Sequence, residues 1–114
     1  MLLIIANNKK QQKDRSIMKP SDWKSRGVYR KIKGHNLFLV DEGDPAQETI
    51  LLIHGFPTSS WDWQPIWSSL RKHYRLVAMD MLGFGFSDKP QAHSYSIHEQ
   101  ADLIESLIEA LQLG

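Results

Sequence analysis

Two short apolar stretches mark the middle of the chain, Thr49–Ile53 and Arg75–Met79 with its run Leu76-Val77-Ala78-Met79, and neither alternates with polar residues. Runs of this length without alternation predict strands covered on both faces. Ahead of them, Val28–Ile32 and Asn36–Val40 read as two strands joined by a hairpin turn at Lys33-Gly34-His35-Asn36. Asp41-Glu42-Gly43-Asp44-Pro45 is a turn cluster. Pro65, followed by Ile66, Trp67 and Leu70, predicts a short helix with proline near its first turn.

The last predicted helix is the longest. Ser96 and Glu99 match an S-x-x-E capping box. Behind them Ile97, Ala101, Ile104, Ile108 and Leu111 form an apolar seam at helical spacing, widened by Leu103 and Leu107. Asp102, Glu105 and Glu109 lie off that seam, and Gly114 stands where a helix C-terminal glycine belongs. A hairpin followed by strand, helix, strand and helix predicts an α/β chain with parallel strands in its second half. The strand expected after the last helix is not in the sequence, so the sheet is expected to be incomplete.

Composition narrows the field. Apolar residues make up 41% of the 114 positions, with four Trp, four Phe and three Tyr, which describes a globular chain. There is no cysteine, which excludes a disulfide scaffold, thiolate zinc sites and thiol catalysis and fits a cytoplasmic setting. The net charge of +1 conceals an asymmetry: residues 1–34 carry ten Lys/Arg against two acids, and the remainder four against eleven. The basic stretch lacks the interleaved aromatics of a nucleic-acid platform, so it reads as a solvated leader without a nucleic-acid partner. Met1-Leu2-Leu3-Ile4-Ile5-Ala6 has no basic n-region and is too short for a signal peptide or a stable membrane span. The expected organisation is therefore a basic, disordered leader over residues 1–20 and a folded part over 21–114, with Met18 as an alternative start.

Chemistry concentrates in His54-Gly55-Phe56-Pro57-Thr58-Ser59-Ser60, directly after the first apolar run. A tight loop at a strand end can point backbone N–H groups at a developing oxyanion, and glycine allows close approach of substrate. Alternatively, it is an ordinary strand-to-helix loop with a buried, hydrogen-bonded His54. A second motif, Asp80-Met81-Leu82-Gly83-Phe84-Gly85-Phe86-Ser87-Asp88-Lys89-Pro90, has alternate glycines. It lacks the third glycine of a dinucleotide loop, and no helix opens there to receive a phosphate. His54, His73, His93 and His98 form no H-x-x-x-H pair, and no carboxylate spacing completes a zinc or iron triad, so neither metal nor cofactor is expected. Ser16-Ile17-Met18-Lys19 matches S-x-x-K without companion motifs, as chance would produce. No G-x-S-x-G nucleophile turn occurs.

Taken together, the two loops carry a resemblance. Leu51-Leu52-Ile53-His54-Gly55-Phe56-Pro57, then Asp80-x-x-Gly83-x-Gly85-x-Ser87-Asp88-Lys89-Pro90, then Tyr95-Ser96-Ile97 opening a helix, resembles the N-terminal third of the α/β-hydrolase fold. The flavour is that of the epoxide-hydrolase and haloalkane-dehalogenase branch. HGFPTSSWDW and the stretch from Leu82 to Ala101 look closest to the mesoderm-specific transcript family. The resemblance covers Val28 to Gly114.

That resemblance implies a backbone oxyanion donor at Phe56, with His54, Gly55 and Pro57 supporting the loop and His54 not serving as the catalytic base. It makes Asp80 and Gly83–Ser87 a structural turn. Phe56 stands where many haloalkane dehalogenases have a halide-contacting Asn, which favours epoxide or ester chemistry. The nucleophile (Asp or Ser), the acid and the catalytic histidine would follow Gly114. The resemblance thus implies a cofactor-independent hydrolase of small apolar epoxides, esters or halides, acting through a covalent intermediate and inactive as the isolated chain. In that family Thr49–Ile53 pairs with the nucleophile strand, so an unpaired apolar edge and self-association through it are expected here. The competing reading is a non-catalytic, truncated hydrolase-like interaction module.

Overall fold

The computed structural model describes residues 1–5, 19–56 and 58–113. Five strands form one mixed sheet: β1 (Leu2–Ile5), β2 (Val28–Ile32), β3 (His35–Glu42), β4 (Thr49–Ile53) and β5 (Arg75–Met79), in the order β1-β4-β5-β3-β2. β4 and β5 have the predicted bounds and run parallel, as do β1 and β4, whereas β3 is antiparallel to both β2 and β5. The β2–β3 hairpin closes through Lys33 and Gly34, both at positive φ, as a two-residue turn between right-twisted strands requires.

Alternation along the strands divides the core into two layers. Leu37, Leu39, Leu51, Ile53, Val77 and Met79 face one side. There they meet Leu103 and Leu107 of α3 (Ile97–Ala110). Phe38, Val40, Ile50, Leu52, Leu76 and Ala78 face the other side. These pack on Trp23 from α1 (Pro20–Ser25), Trp63 from a 3-10 turn (Ser60–Trp63) and Trp67 from α2 (Gln64–Arg71). Burying each large side chain contributes about 1.5–3 kcal/mol, and that is what holds α1. Six residues are too few for a helix to stand by itself. Trp23 instead docks edge-on to Trp67 at 4.9 Å and donates its indole N–H to Ser60 Oγ at 2.9 Å.

Several expectations require correction. Leu2–Ile5 is a strand, not part of a disordered leader, and Pro20 opens a helix. The apolar tetrapeptide pairs Leu2–Ile5 with Ile50–Ile53, and α1 is held by its one buried tryptophan. The β4 edge expected to be bare is consequently covered, because an open row of backbone donors and acceptors favours any extended segment within reach. The exposed apolar edge is that of β1, where Leu2, Leu3 and Ile5 are 43%, 48% and 66% accessible. In α3 the seam lies on Gln100, Leu103 and Leu107, while Ile97 is 79% exposed because the first turn overhangs a cleft rather than the sheet. Ser96 Oγ accepts the Glu99 N–H at 3.1 Å, but the Glu99 carboxylate turns to His93, so only half the capping box forms.

Gly114, expected at the end of α3, lies outside the described residues, as do Pro57, Met18 and most of the S-x-x-K match. Gln112 takes the left-handed position at φ 56°, and Leu113 N–H reaches Ile108 O at 3.0 Å. This is a Schellman closure with a non-glycine residue at its strained position. No helix among the described residues is long and apolar enough to cross a membrane.

Candidate functional site

The loop leaving the C-terminal end of β4 is braced from several sides. His54, 1% exposed, accepts the Met81 N–H on Nε2 at 3.0 Å, which places its own proton on Nδ1, 2.8 Å from Gly55 O. Burial lowers its pKa from 6.5, outweighing the Gly55 carbonyl and the Asp80 and Asp62 charges that raise it, so the ring is neutral. The Thr58 N–H and hydroxyl also converge on Gly55 O, at 3.1 and 2.8 Å. The Phe56 N–H has no acceptor among the described residues, and its side chain is 69% exposed.

Asp80, at the end of the neighbouring β5, connects this loop to the glycine-containing one. Its buried carboxylate accepts Ser60 N–H at 2.7 Å and Phe86 N–H at 2.8 Å, while its carbonyl accepts Ser87 Oγ at 2.5 Å. The alternate glycines now have a physical explanation that involves no nucleotide. A Cβ on Gly85 would sit 2.2 Å from Asp80 Oδ2, and one on Gly83 would meet the Tyr95 ring at 2.6 Å. The loop is fastened to β3 by Phe38 N–H to Ser87 Oγ (2.8 Å) and Asn36 N–H to Asp88 Oδ2 (2.7 Å).

These contacts shape a shallow cleft of about 210 Å³ lined by Phe56, Met81, Phe84, Tyr95, Ile97 and Gln100. Phe84 stands edge-on to both Phe56 (5.6 Å) and His54 (5.5 Å). Gln100 donates to Leu82 O at 2.9 Å, leaving its carbonyl oxygen buried and unpartnered among the described residues. Tyr95 and Ala92 hold positive φ, 49° and 53°, a cost of about 1–3 kcal/mol each that the surrounding contacts must offset.

Of the expected site residues, Phe56 alone lines this cleft, His54 is buried beside Phe84 and bonded to Gly55 O, and Pro57 lies outside the described residues. The sequence reading missed Phe84, Tyr95 and Gln100 as wall residues. Gln100 carried a signal, being a polar side chain one turn before the buried pair Leu103 and Leu107. The reading of no metal-ligand set missed one group as well: His35, His93 and Glu99 come together across distant parts of the chain.

A family model of the alpha/beta hydrolase fold matches residues 48–114. The chain belongs to the alpha/beta hydrolase family. It is 49% identical over 96 residues to the mesoderm-specific transcript protein of Mus musculus, covering 80% of this chain and 28% of that protein. It is 40% identical over 88 residues to a haloalkane dehalogenase of Sphingobium indicum, covering 73% and 28%. The crystal structure of a membrane phospholipase A superposes with a TM-score of 0.71 at 30% identity, covering 75% of this chain and 27% of that one. The chain therefore spans little more than a quarter of the length of these relatives. In this alpha/beta hydrolase chain the braced loop sits at the C-terminal end of a parallel strand, where sheets of this kind place their ligands.

Proposed function

We propose that this chain carries the oxyanion-binding part of a cofactor-independent hydrolase that acts on small apolar epoxides, esters or halides through a covalent intermediate. One observation carries the reading. The Phe56 N–H, without an acceptor among the described residues, lies at the lip of an apolar cleft, on a loop held by His54 and Asp80. Attack on an ester, or hydrolysis of an ester-linked intermediate, develops charge on one oxygen. A preorganised N–H stabilises that charge by about 2.7–4 kcal/mol. Neutral His54 braces the loop and takes no proton from substrate, since both ring nitrogens are engaged by backbone groups. Gly55 permits close approach, and Pro57 sets the direction of the chain beyond Phe56. Phe56, Phe84 and Ile97 give the cleft its apolar wall.

The nucleophile (Asp or Ser), acid and catalytic histidine are assigned to sequence beyond Gly114, because no G-x-[SD]-x-G turn occurs within the 114 residues. Without an activated nucleophile there is no covalent step. The 114-residue chain should therefore turn over none of p-nitrophenyl butyrate, styrene oxide or 1-bromobutane. In a protein extended to the length of its relatives, Phe56→Pro removes the donor and should lower kcat by about 100- to 1000-fold. An unchanged kcat would overturn the oxyanion assignment, and turnover by the isolated chain would overturn the division of the site. The second reading, a non-catalytic interaction module, draws on the exposed apolar edge of β1. It predicts saturable partner binding by the chain with no hydrolysis at either length.

A further inference from the structure

We propose that His35, His93 and Glu99 form a binding site for one divalent transition-metal ion of the zinc class, separate from the cleft and independent of the hydrolase reading. The three side chains come from three different parts of the fold: the first residue of β3, the loop before α3, and the first turn of α3. Their ligand atoms all lie within 4.8 Å of one another. Two of the three anchors are fixed by backbone bonding. His35 pairs with Ile32 across the hairpin, and the Glu99 N–H is held by Ser96 Oγ.

His93 and Glu99 form an ion pair by themselves, and a metal would have to displace the proton between them; the third group, His35, is what makes a ligand set. Both Glu99 oxygens converge on a single atom, His93 Nε2, at 2.6 and 2.7 Å. The His35 ring stands edge-on to His93 at 5.6 Å, and its nitrogens have no hydrogen-bond partner among the described residues. An imidazole left without a partner beside a carboxylate and a second imidazole is a free donor aimed at the same small volume. Zinc bonds of about 2.0–2.2 Å to nitrogen and oxygen set neighbouring ligand atoms roughly 3.3 Å apart. The cluster, its ligand atoms now within 4.8 Å of one another, reaches that spacing if His35 moves closer and Glu99 backs away slightly from His93. Two imidazoles and one carboxylate suit zinc among the common divalent ions and leave a position open to water. The His93 and Glu99 side chains are 24% and 29% exposed, so an ion can enter from solvent.

A bound ion would tie the hairpin end, the loop and α3 together. His93 packs on Tyr95 at 4.9 Å, and Tyr95 lines the cleft. The metal site would thereby fix one wall of that cleft.

The test is titration of the 114-residue chain with Zn2+ by calorimetry and with Co2+ by visible absorbance. One equivalent is expected, with a Co2+ d–d band of low-symmetry coordination. His35→Ala and the near-isosteric Glu99→Gln should each weaken binding by about 100-fold. A His73→Ala/His98→Ala double variant, altering two exposed histidines outside the cluster, should leave it unchanged. Paramagnetic Co2+ should broaden amide resonances at Gly34–Asn36, 92–95 and 96–100 in the unaltered chain, a readout that needs no variant to fold. Absence of binding would overturn the proposal. So would binding indifferent to His35→Ala and Glu99→Gln, or broadening centred on His73 that spares Gly34–Asn36.

Discussion

Replacing Asp80 by alanine should damage the fold more than any surface change, and its size follows from the bonds that carboxylate makes. Asp80 is 1% exposed, and its two oxygens accept the backbone N–H groups of Ser60 and Phe86 at 2.7 and 2.8 Å. Alanine removes both acceptors and leaves both donors in the protein interior. An orphaned buried donor costs about 1–3 kcal/mol, so the pair amounts to roughly 2–6 kcal/mol. A domain of this size has about 5–15 kcal/mol in total. With about 4 °C of Tm per kcal/mol for a chain somewhat above 100 residues, the melting temperature should fall on the order of 10–20 °C. Asp80→Asn keeps one carbonyl acceptor but turns an NH2 toward the other donor, and should fall between the two. Tryptophan fluorescence suits the urea or thermal melt, because Trp63 belongs to the 3-10 turn that begins at Ser60 and packs in one core layer with Trp23 and Trp67. Hydrogen exchange supplies the local reading: Ser60 and Phe86 amides should lose protection together. A loss below about 1 kcal/mol, or unchanged protection at those two amides, would refute the argument that Asp80 joins the two loops.

Three further outcomes are expected. Ile4→Asp places a charge in the one partly buried position of β1, against the layer of Ile50 and Leu52, and should release the strand. Amide exchange along Ile50–Ile53 would then accelerate, and size-exclusion chromatography should show association through the uncovered β4 edge. An unaltered exchange pattern would deny β1 its pairing. Gln112→Gly relieves the left-handed residue that closes α3 and should stabilise the chain by about 0.5–1 kcal/mol in a urea melt. Stability should fall as pH drops below 6.5 because of His54. Its folded pKa is lowered by burial, so the unfolded chain takes up the proton first, costing up to about 1.4 kcal/mol per pH unit. A His54→Gln variant should lose that slope, which a series of melts between pH 7.5 and 5 will show.

What was legible in the sequence, and what was not, divides by the range of the interactions. β4 and β5 were readable to the residue because a continuous apolar run between turn residues needs no partner to be recognised. The start of α3 was readable because Ser96 caps it locally. β1 was not readable: four apolar residues become a strand only when Ile50–Ile53 lie alongside. α1 escaped notice because it is six residues long and rests on one tryptophan, whose partners Trp67 and Ser60 are remote in sequence. The loop at His54–Phe56 was identified from its residue types, but the parts that support it were hidden. Asp80 was expected only as part of a structural turn, yet its carboxylate bridges two loops, and the glycines at 83 and 85 owe their places to Tyr95 and Asp80. Ile97 was misplaced for the complementary reason. Periodicity records that a position is apolar, not whether the surface opposite it is a sheet or a cleft.

The central claim is that this alpha/beta hydrolase chain holds one part of a divided catalytic site. It is tested most directly by sequencing the encoding transcript through the Gly114 codon. The account predicts a frame that continues into an apolar strand ending in G-H-[DS]-x-G, with Asp there selecting epoxide or halide chemistry and Ser selecting esters. A stop codon directly after Gly114, or a continuing frame with no such turn after the next strand, would contradict it.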